Sequence, residues 1–193
     1  LLDEGAVRKH AYRLKGVAFD GVRKRLAHLA PVLVLGLIEE EEGVFFNTAV
    51  VLKGGRLVGR YRKSNLLPGE RVFARGEATP VFEVDGLKFG VNICSDTQRP
   101  EKAAAVAKQG ATLLLCPANN MMSRKNAERW KHRHNEIRSA RAVASGLWVV
   151  SSDVTGTRGD SVSYGPTAAI NPAGEVVAQV PLGQEGLVVV DVV

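Results

Sequence analysis

Phe89-Gly90-Val91-Asn92-Ile93-Cys94-Ser95-Asp96 reads as an apolar strand that delivers a cysteine at its end and then turns. The residues that follow, with Pro100 suited to a first helical turn, read as the start of a helix. The thiol would then stand at the carboxyl edge of a sheet, where α/β folds usually place their chemistry. Position alone leaves two readings open, a nucleophile or a small buried filler, since most unpaired cysteines are fillers.

Working outward, 80–84, the turn Asp85-Gly86 and 87–94 form a hairpin that ends on the cysteine. Upstream, the continuous apolar run 32–38 predicts a strand buried on both faces, and the acidic residues 39–42 predict a turn. Strands are expected over 44–52 and 57–62, joined by the glycine pair Gly54-Gly55. Apolar residues at helical spacing predict a helix over 20–29. The Gly- and Pro-rich stretch 64–79 reads as a long loop with few apolar anchors, a kind of loop that is often functional.

Downstream, a helix from Pro100 through Ala107 leads to a buried strand over 111–115. Ser123 is the expected N-cap of one long helix to about Ser145, with Trp130, Ile137, Ala140 and Ala144 on its apolar face. Strands follow over 147–151, 167–170, 175–180 and 187–192, with 155–164 as a Gly-rich link. Strand and helix alternate in the middle and hairpins occupy both flanks, which predicts an α/β layered sandwich with a mixed sheet. No repeat or linker divides residues 1–193, so one domain is expected.

Composition excludes several classes. The chain has 193 residues with 45% hydrophobic and 24% charged content, as in an ordinary globular protein. No apolar run is long enough to span a bilayer and the first residues lack a secretory pattern, so a cytoplasmic setting without membrane contact is expected. The net charge of +6 is spread along helical segments and mixed with acids, and aromatic content is only 6%, so no nucleic-acid partner is expected. No His/Cys/Asp cluster has metal-ligand spacing, and neither a metal nor an organic cofactor is expected.

Three residues converge on the opening stretch: Lys63 at a strand end, Glu70 in the loop after it, and Cys94. A thiol is mostly protonated near neutral pH and needs a base or a nearby cation to become a good nucleophile. If it attacks a carbonyl or nitrile carbon, a lysine and a backbone N–H suit the charge that develops. None of His10, His28, His132 and His134 lies in a loop beside a strand end, which favours a Lys-and-carboxylate arrangement over a Cys-His pair. Glu70 also admits a reading as an exposed carboxylate paired with Arg71. Asn119 and Asn120 are either amide-binding groups or ordinary turn residues, Cys116 reads as a core filler, and Trp130 as a packed helix anchor.

In order, Gly36-Leu37-Ile38-Glu39, Asn47-Thr48-Ala49-Val50-Val51, Arg62-Lys63, Leu66-Leu67, Glu70-Arg71, Ile93-Cys94-Ser95-Asp96, Arg99-Pro100-Glu101, Ala140-Arg141-Ala142 and Asn171-Pro172-Ala173-Gly174-Glu175 resemble the carbon–nitrogen hydrolase (nitrilase) superfamily. The resemblance implies an αββα sandwich with helices outside and a Glu-Lys-Cys triad of which Lys63 and Cys94 are members. It also implies Glu70 as a second glutamate that positions substrate, and the Ser95 backbone N–H as an oxyanion donor. Asn119 falls where the family has its substrate loop.

The implied activity is hydrolysis of a small linear amide, carbamoyl or nitrile compound through a cysteine thioester, by a protein that forms homodimers or larger assemblies. The family's triad glutamate follows a proline ahead of the segment that matches the start of this chain. Pro100-Glu101 belongs to a different motif, Glu4 follows no strand or proline, and Glu39 matches a structural position. The expectation is therefore a chain lacking its first strand and general base at the N-terminus. Two other readings stay open: a catalytically silent scaffold that binds an amide-like ligand or a partner, and a glutaminase domain detached from an ammonia-using synthetase. Ser95, where members often carry an aromatic residue, is expected to leave the pocket wall more open or more polar. Ala144-Ser145 replaces a usual Glu-Asn pair.

Overall fold

The computed structural model describes residues 3–192. Along the chain it begins with α1 (Glu4–His10), α2 (Val17–Leu26), β1 (Val32–Glu41), β2 (Val44–Lys53) and β3 (Arg56–Arg62). The middle holds β4 (Val81–Val84), β5 (Leu87–Val91), α3 (Pro100–Ala107), β6 (Leu113–Ala118), β7 (Met122–Ser123), α4 (Arg124–Trp130) and α5 (Arg133–Ser145). The last elements are β8 (Trp148–Asp153), β9 (Thr155–Arg158), β10 (Ser161–Tyr164), β11 (Ala168–Ile170) and β12 (Val176–Gln179). Short 3₁₀ turns cover Pro68–Glu70 and Cys94–Gln98.

Two sheets pack face to face between helices. β1, β2 and β3 form an antiparallel meander, and a second sheet runs β12-β11-β8-β6-β5-β4 with β5, β6 and β8 parallel. Ala49, Val51 and Tyr61 from the first sheet meet Phe82, Phe89, Val91, Ile93 and Leu113 from the second. On the outer face of the first sheet, Val50 and Leu52 pack on Phe19 of α2. On the outer face of the second, Leu114, Val149, Ala168 and Ile170 pack on Ala103 and Val106 of α3 and Ala142 of α5. The layers are helix, sheet, sheet, helix, an αββα sandwich. Residues 49–52 of β2 form an unbroken apolar run because both faces of the strand are covered there.

Glycine is required at two kinds of place. Gly54 and Gly55 turn the β2–β3 hairpin at φ 54° and 70°, as a two-residue hairpin turn demands. A Cβ on Gly90 would lie 2.5 Å from both Cγ atoms of Val106, so α3 can seat on β5 only where that side chain is missing.

Several elements differ from the sequence-based expectations. β1 runs on to Glu41 and the turn is Glu42-Gly43, because Glu39 is held inside the sheet by Thr48, Arg60 and Arg62. β1 is only partly buried, although Val32 and Val34 face one apolar cluster and Leu33, Leu35 and Leu37 the other. The segment before α2 contains α1, capped by the Asp3 carboxylate on the N–H groups of Gly5 and Ala6. The loop after β3 is anchored by Phe73, packed with Phe45 and Val7. The strand after α3 is shifted to Leu113–Ala118.

The expected long helix breaks into α4 and α5 at Lys131-His132, and Ser123 makes no side-chain cap bond. Its buried face is also different: Asn135, Arg138 and Ala142 turn inward while Ala140 and Ala144 are exposed. The Gly-rich 155–164 is a hairpin, β9 and β10, which β7 joins as a third strand. Residues 187–192 form no strand, and Val193 lies outside the described residues.

Candidate active site

The carboxyl ends of β3, β5, β6 and β8 gather on one edge of the sandwich, and each contributes a polar residue there. β5 ends at Val91, and Cys94 opens the 3₁₀ turn with φ +48°. Among the described residues the other non-glycine positive φ values are Glu42 and Asp85, both in hairpin turns before a glycine. A non-glycine backbone in the left-handed region outside such a turn is strained by its Cβ and persists only if its surroundings hold it. Thr97 Oγ1 donates to the Cys94 carbonyl at 2.8 Å, and the Ile93 N–H donates to Asp96 Oδ2 at 2.9 Å, one restraint on each side.

Asp96 also ties this turn to the opposite sheet. It is buried and accepts from Tyr61 Oη at 2.8 Å, Ser64 N at 3.2 Å, Ser64 Oγ at 3.0 Å and Asn65 N at 2.7 Å. Burial and the Asp96 charge push the Tyr61 phenol up, so it stays a donor. Ser64 and Asn65 follow Lys63 directly, so the carboxylate that braces the cysteine turn also fixes the lysine.

Lys63 is 2% exposed, and its Nζ donates to Glu70 Oε1 at 2.7 Å and Oε2 at 2.6 Å. Glu70 accepts further from Asn47 Nδ2 at 3.2 Å and from the Leu67 N–H at 2.8 Å. Glu70 therefore pairs with Lys63 inside the site and not with Arg71. Among the described residues it is the carboxylate that pairs with this lysine.

The Cys94 thiol donates to Asn120 Oδ1 at 3.2 Å. Burial pushes the thiol up to about 12, with the Lys63 charge acting in the opposite direction. A resting thiol in this setting is protonated, and the nearby lysine favours its ionised form.

Ser95 does not line an open wall. Its hydroxyl donates to Asn65 O at 2.6 Å, Asn65 Nδ2 returns a bond to Ser95 O at 2.7 Å, and the side chain is buried. Asn119 is exposed and its Oδ1 accepts from the Met121 N–H at 3.2 Å, within its own loop, while its neighbour Asn120 takes the thiol. Cys116 is buried in β6, as a filler would be. Trp130 is half-buried against His134 and Arg133.

Sequence reasoning gave no role to Asp153 and Arg138. Asp153, at the end of β8, accepts from the Asn120 N–H at 3.0 Å and from Asn120 Nδ2, and lies 3.6 Å from Arg138 Nη2. Arg138 Nη1 donates to Asn135 Oδ1 and Ser151 Oγ, each at 3.0 Å, and to the Pro166 carbonyl. The one sequence signal for Asp153 is an acidic residue closing an apolar strand, which is too common to single out, and Arg138 is one of several arginines on a helix.

The αββα frame, with a cysteine on a strained turn and a buried lysine–carboxylate pair at one edge, is that of one family, and the chain belongs to it: the carbon-nitrogen hydrolase family model matches residues 4–193. The chain is 28% identical over 183 residues to a protein of Schizosaccharomyces pombe named probable nitrilase, covering 90% of this chain and 64% of that one. It is 28% identical over 177 residues to the deaminated glutathione amidase of Escherichia coli O157:H7, covering 88% and 64%. The crystal structure of Saccharomyces cerevisiae Nit3, a nitrilase superfamily member, superposes with a TM-score of 0.80 at 20% identity, covering 95% of this chain and 69% of that one, a likeness of fold. The chain spans 64% of the length of both curated relatives.

Proposed function

We propose that the site hydrolyses a non-peptide carbon–nitrogen bond of a small linear amide, carbamoyl or nitrile compound, with Cys94 as nucleophile. The carrying observation is the Cys94 thiol on its strained turn, acted on by the charge of Lys63, which is itself buried and paired with Glu70. The relatives' names, a nitrilase and an amidase, favour the same class. For an amide, Cys94 sulfur bonds to the carbonyl carbon, and the electron pair moves to oxygen. Lys63 Nζ and the Ser95 backbone N–H stabilise that charge. Collapse breaks the C–N bond and the amine leaves with a proton; water then attacks the thioester, giving the acid and restoring the thiol. Glu70 holds Lys63 in place and accepts from the substrate nitrogen. The thiol proton passes to the departing nitrogen in the first half, and a proton of the attacking water returns to sulfur in the second.

The test is covalent trapping with a nitrile or activated amide, followed by intact-mass measurement. A single adduct that is lost in Cys94→Ala and kept in Cys116→Ala is the expected result. Equal labelling of both cysteines, or none at Cys94, removes the nucleophile.

A further inference from the structure

Asn120 is held by Asp153 from two directions. Its backbone N–H donates to Oδ1 at 3.0 Å and its side-chain Nδ2 donates to Oδ2. An ionised carboxylate only accepts, so the amide nitrogen of Asn120 must face Asp153 and the amide oxygen must face the other way. Cys94 Sγ lies on that other side, 3.2 Å from Oδ1. The sulfur therefore meets an acceptor where a freely turning asparagine could have offered a donor. An acceptor bonds a thiol and repels a thiolate.

The rest of the chain of contacts is fixed as well. The Asp153 side chain is fully buried, with Arg138 at 3.6 Å. Burial pushes its carboxyl up, while Arg138 and the two Asn120 donors favour the ionised form. The Asp153 N–H donates to Thr167 Oγ1 at 2.9 Å, which pins the strand end, and Arg138 is anchored by Asn135, Ser151 and Pro166. Groups acting on Cys94 come from every side: Lys63 after β3, Cys116 in β6, Asp153 in β8 and Arg138 in α5. Of these the cations favour the thiolate, and Asp153 opposes it both by its charge and by the orientation it imposes on Asn120.

We infer that Asp153 is a positioning residue that acts through Asn120, fixing the amide so that its oxygen holds the Cys94 S–H and keeps the nucleophile protonated until substrate is bound. The inference rests on Cys94 being the nucleophile. In this arrangement Lys63 supplies the pull toward the thiolate and the Asp153–Asn120 pair restrains it, so a resting enzyme does not spend its thiol on passing electrophiles.

The test is the pH dependence of iodoacetamide labelling, followed at Cys94 and Cys116 separately by peptide mass mapping. Asp153→Asn frees the Asn120 amide to turn its nitrogen to sulfur, and Asn120→Ala removes the acceptor while leaving Asp153 and Arg138 paired. Each is expected to lower the Cys94 labelling midpoint by about one pH unit, about tenfold in rate below the midpoint. In the Asn120→Ala background, Asp153→Asn is expected to add little. If it retains its full shift there, Asp153 acts by charge alone and the inference falls. An unmoved midpoint in Asn120→Ala overturns it too, and that variant keeps the question open to measurement if Asp153→Asn fails to fold. Failure of Cys94 to form the nitrile or activated-amide adduct would instead remove the nucleophile reading, and the inference with it.

Discussion

Asp96→Asn changes one oxygen to an amide nitrogen at the point where the two sheets are joined. Oδ1 takes Ser64 N, Ser64 Oγ and Asn65 N, while Oδ2 takes Tyr61 Oη and Ile93 N. The asparagine oxygen will occupy the Oδ1 side, where donors are more numerous, so its nitrogen faces Tyr61 and Ile93. The tyrosine hydroxyl can turn and accept, but the Ile93 N–H cannot. One buried N–H is left against a donor, a cost of about 1–3 kcal/mol, and the remaining bonds lose their charge assistance. We expect Asp96→Asn to cost about 2–4 kcal/mol, and Asp96→Ala, which strands every donor, about 3–5 kcal/mol. Urea unfolding at constant m-value measures both. Because Ile93 and Ser64 flank Cys94 and Lys63, the Asn variant should also change Cys94 labelling while still folded. A cost below about 0.5 kcal/mol for Asn, or equal costs for Asn and Ala, would refute the donor assignment.

Gly90→Ala puts a methyl 2.5 Å from Val106 Cγ1 and Cγ2 and should cost about 1–3 kcal/mol by overpacking; adding Val106→Ala should recover part of it, and no recovery would place the strain elsewhere. Asn92 is buried on the helix side of β5, and neither its Nδ2 nor its Oδ1 has a hydrogen-bond partner among the described residues, so Asn92→Val should raise stability by about 1–2 kcal/mol in urea unfolding; a loss would reveal a partner. Burial, then the Arg138 charge, pushes His134 down to about 4, so its stabilising contribution is present above pH 6.5 and is lost as pH falls through 6.5 toward 4. His134→Gln should flatten stability in that window, and an unchanged slope would contradict the assignment.

What was legible in the sequence was what neighbours along the chain decide. The apolar runs of β1 and β2, the turns at Gly54-Gly55 and Asp85-Gly86, and the order Lys63, Glu70, Cys94 are local patterns. The inward face of α5 was not legible. Its periodicity puts Ala140 and Ala144 together, yet the helix buries Asn135 and Arg138, because their partners Gln179, Ser151 and Pro166 arrive from far along the chain. The glycines of 155–164 concealed a hairpin for a related reason: β10 takes its second partner from β7, more than thirty residues upstream.

The same distinction separates two kinds of residue within the site. A residue that does chemistry must have a particular functional group, and a thiol or an ammonium at a strand end is visible in the sequence. A residue that holds the chemistry in place needs only a donor or acceptor aimed correctly, and many side chains supply one. Cys94 at φ +48° costs about 1–2 kcal/mol relative to relaxed backbone. That strain persists because Asp96 and Thr97 hold the backbone on either side and Asn120 takes the thiol, each a common polar residue type. Their roles come from the parallel register that sets Ala118 beside Asp153 and brings the ends of β5, β6 and β8 to one edge. The sheet, rather than any motif, makes an ordinary Asn and Asp part of the site.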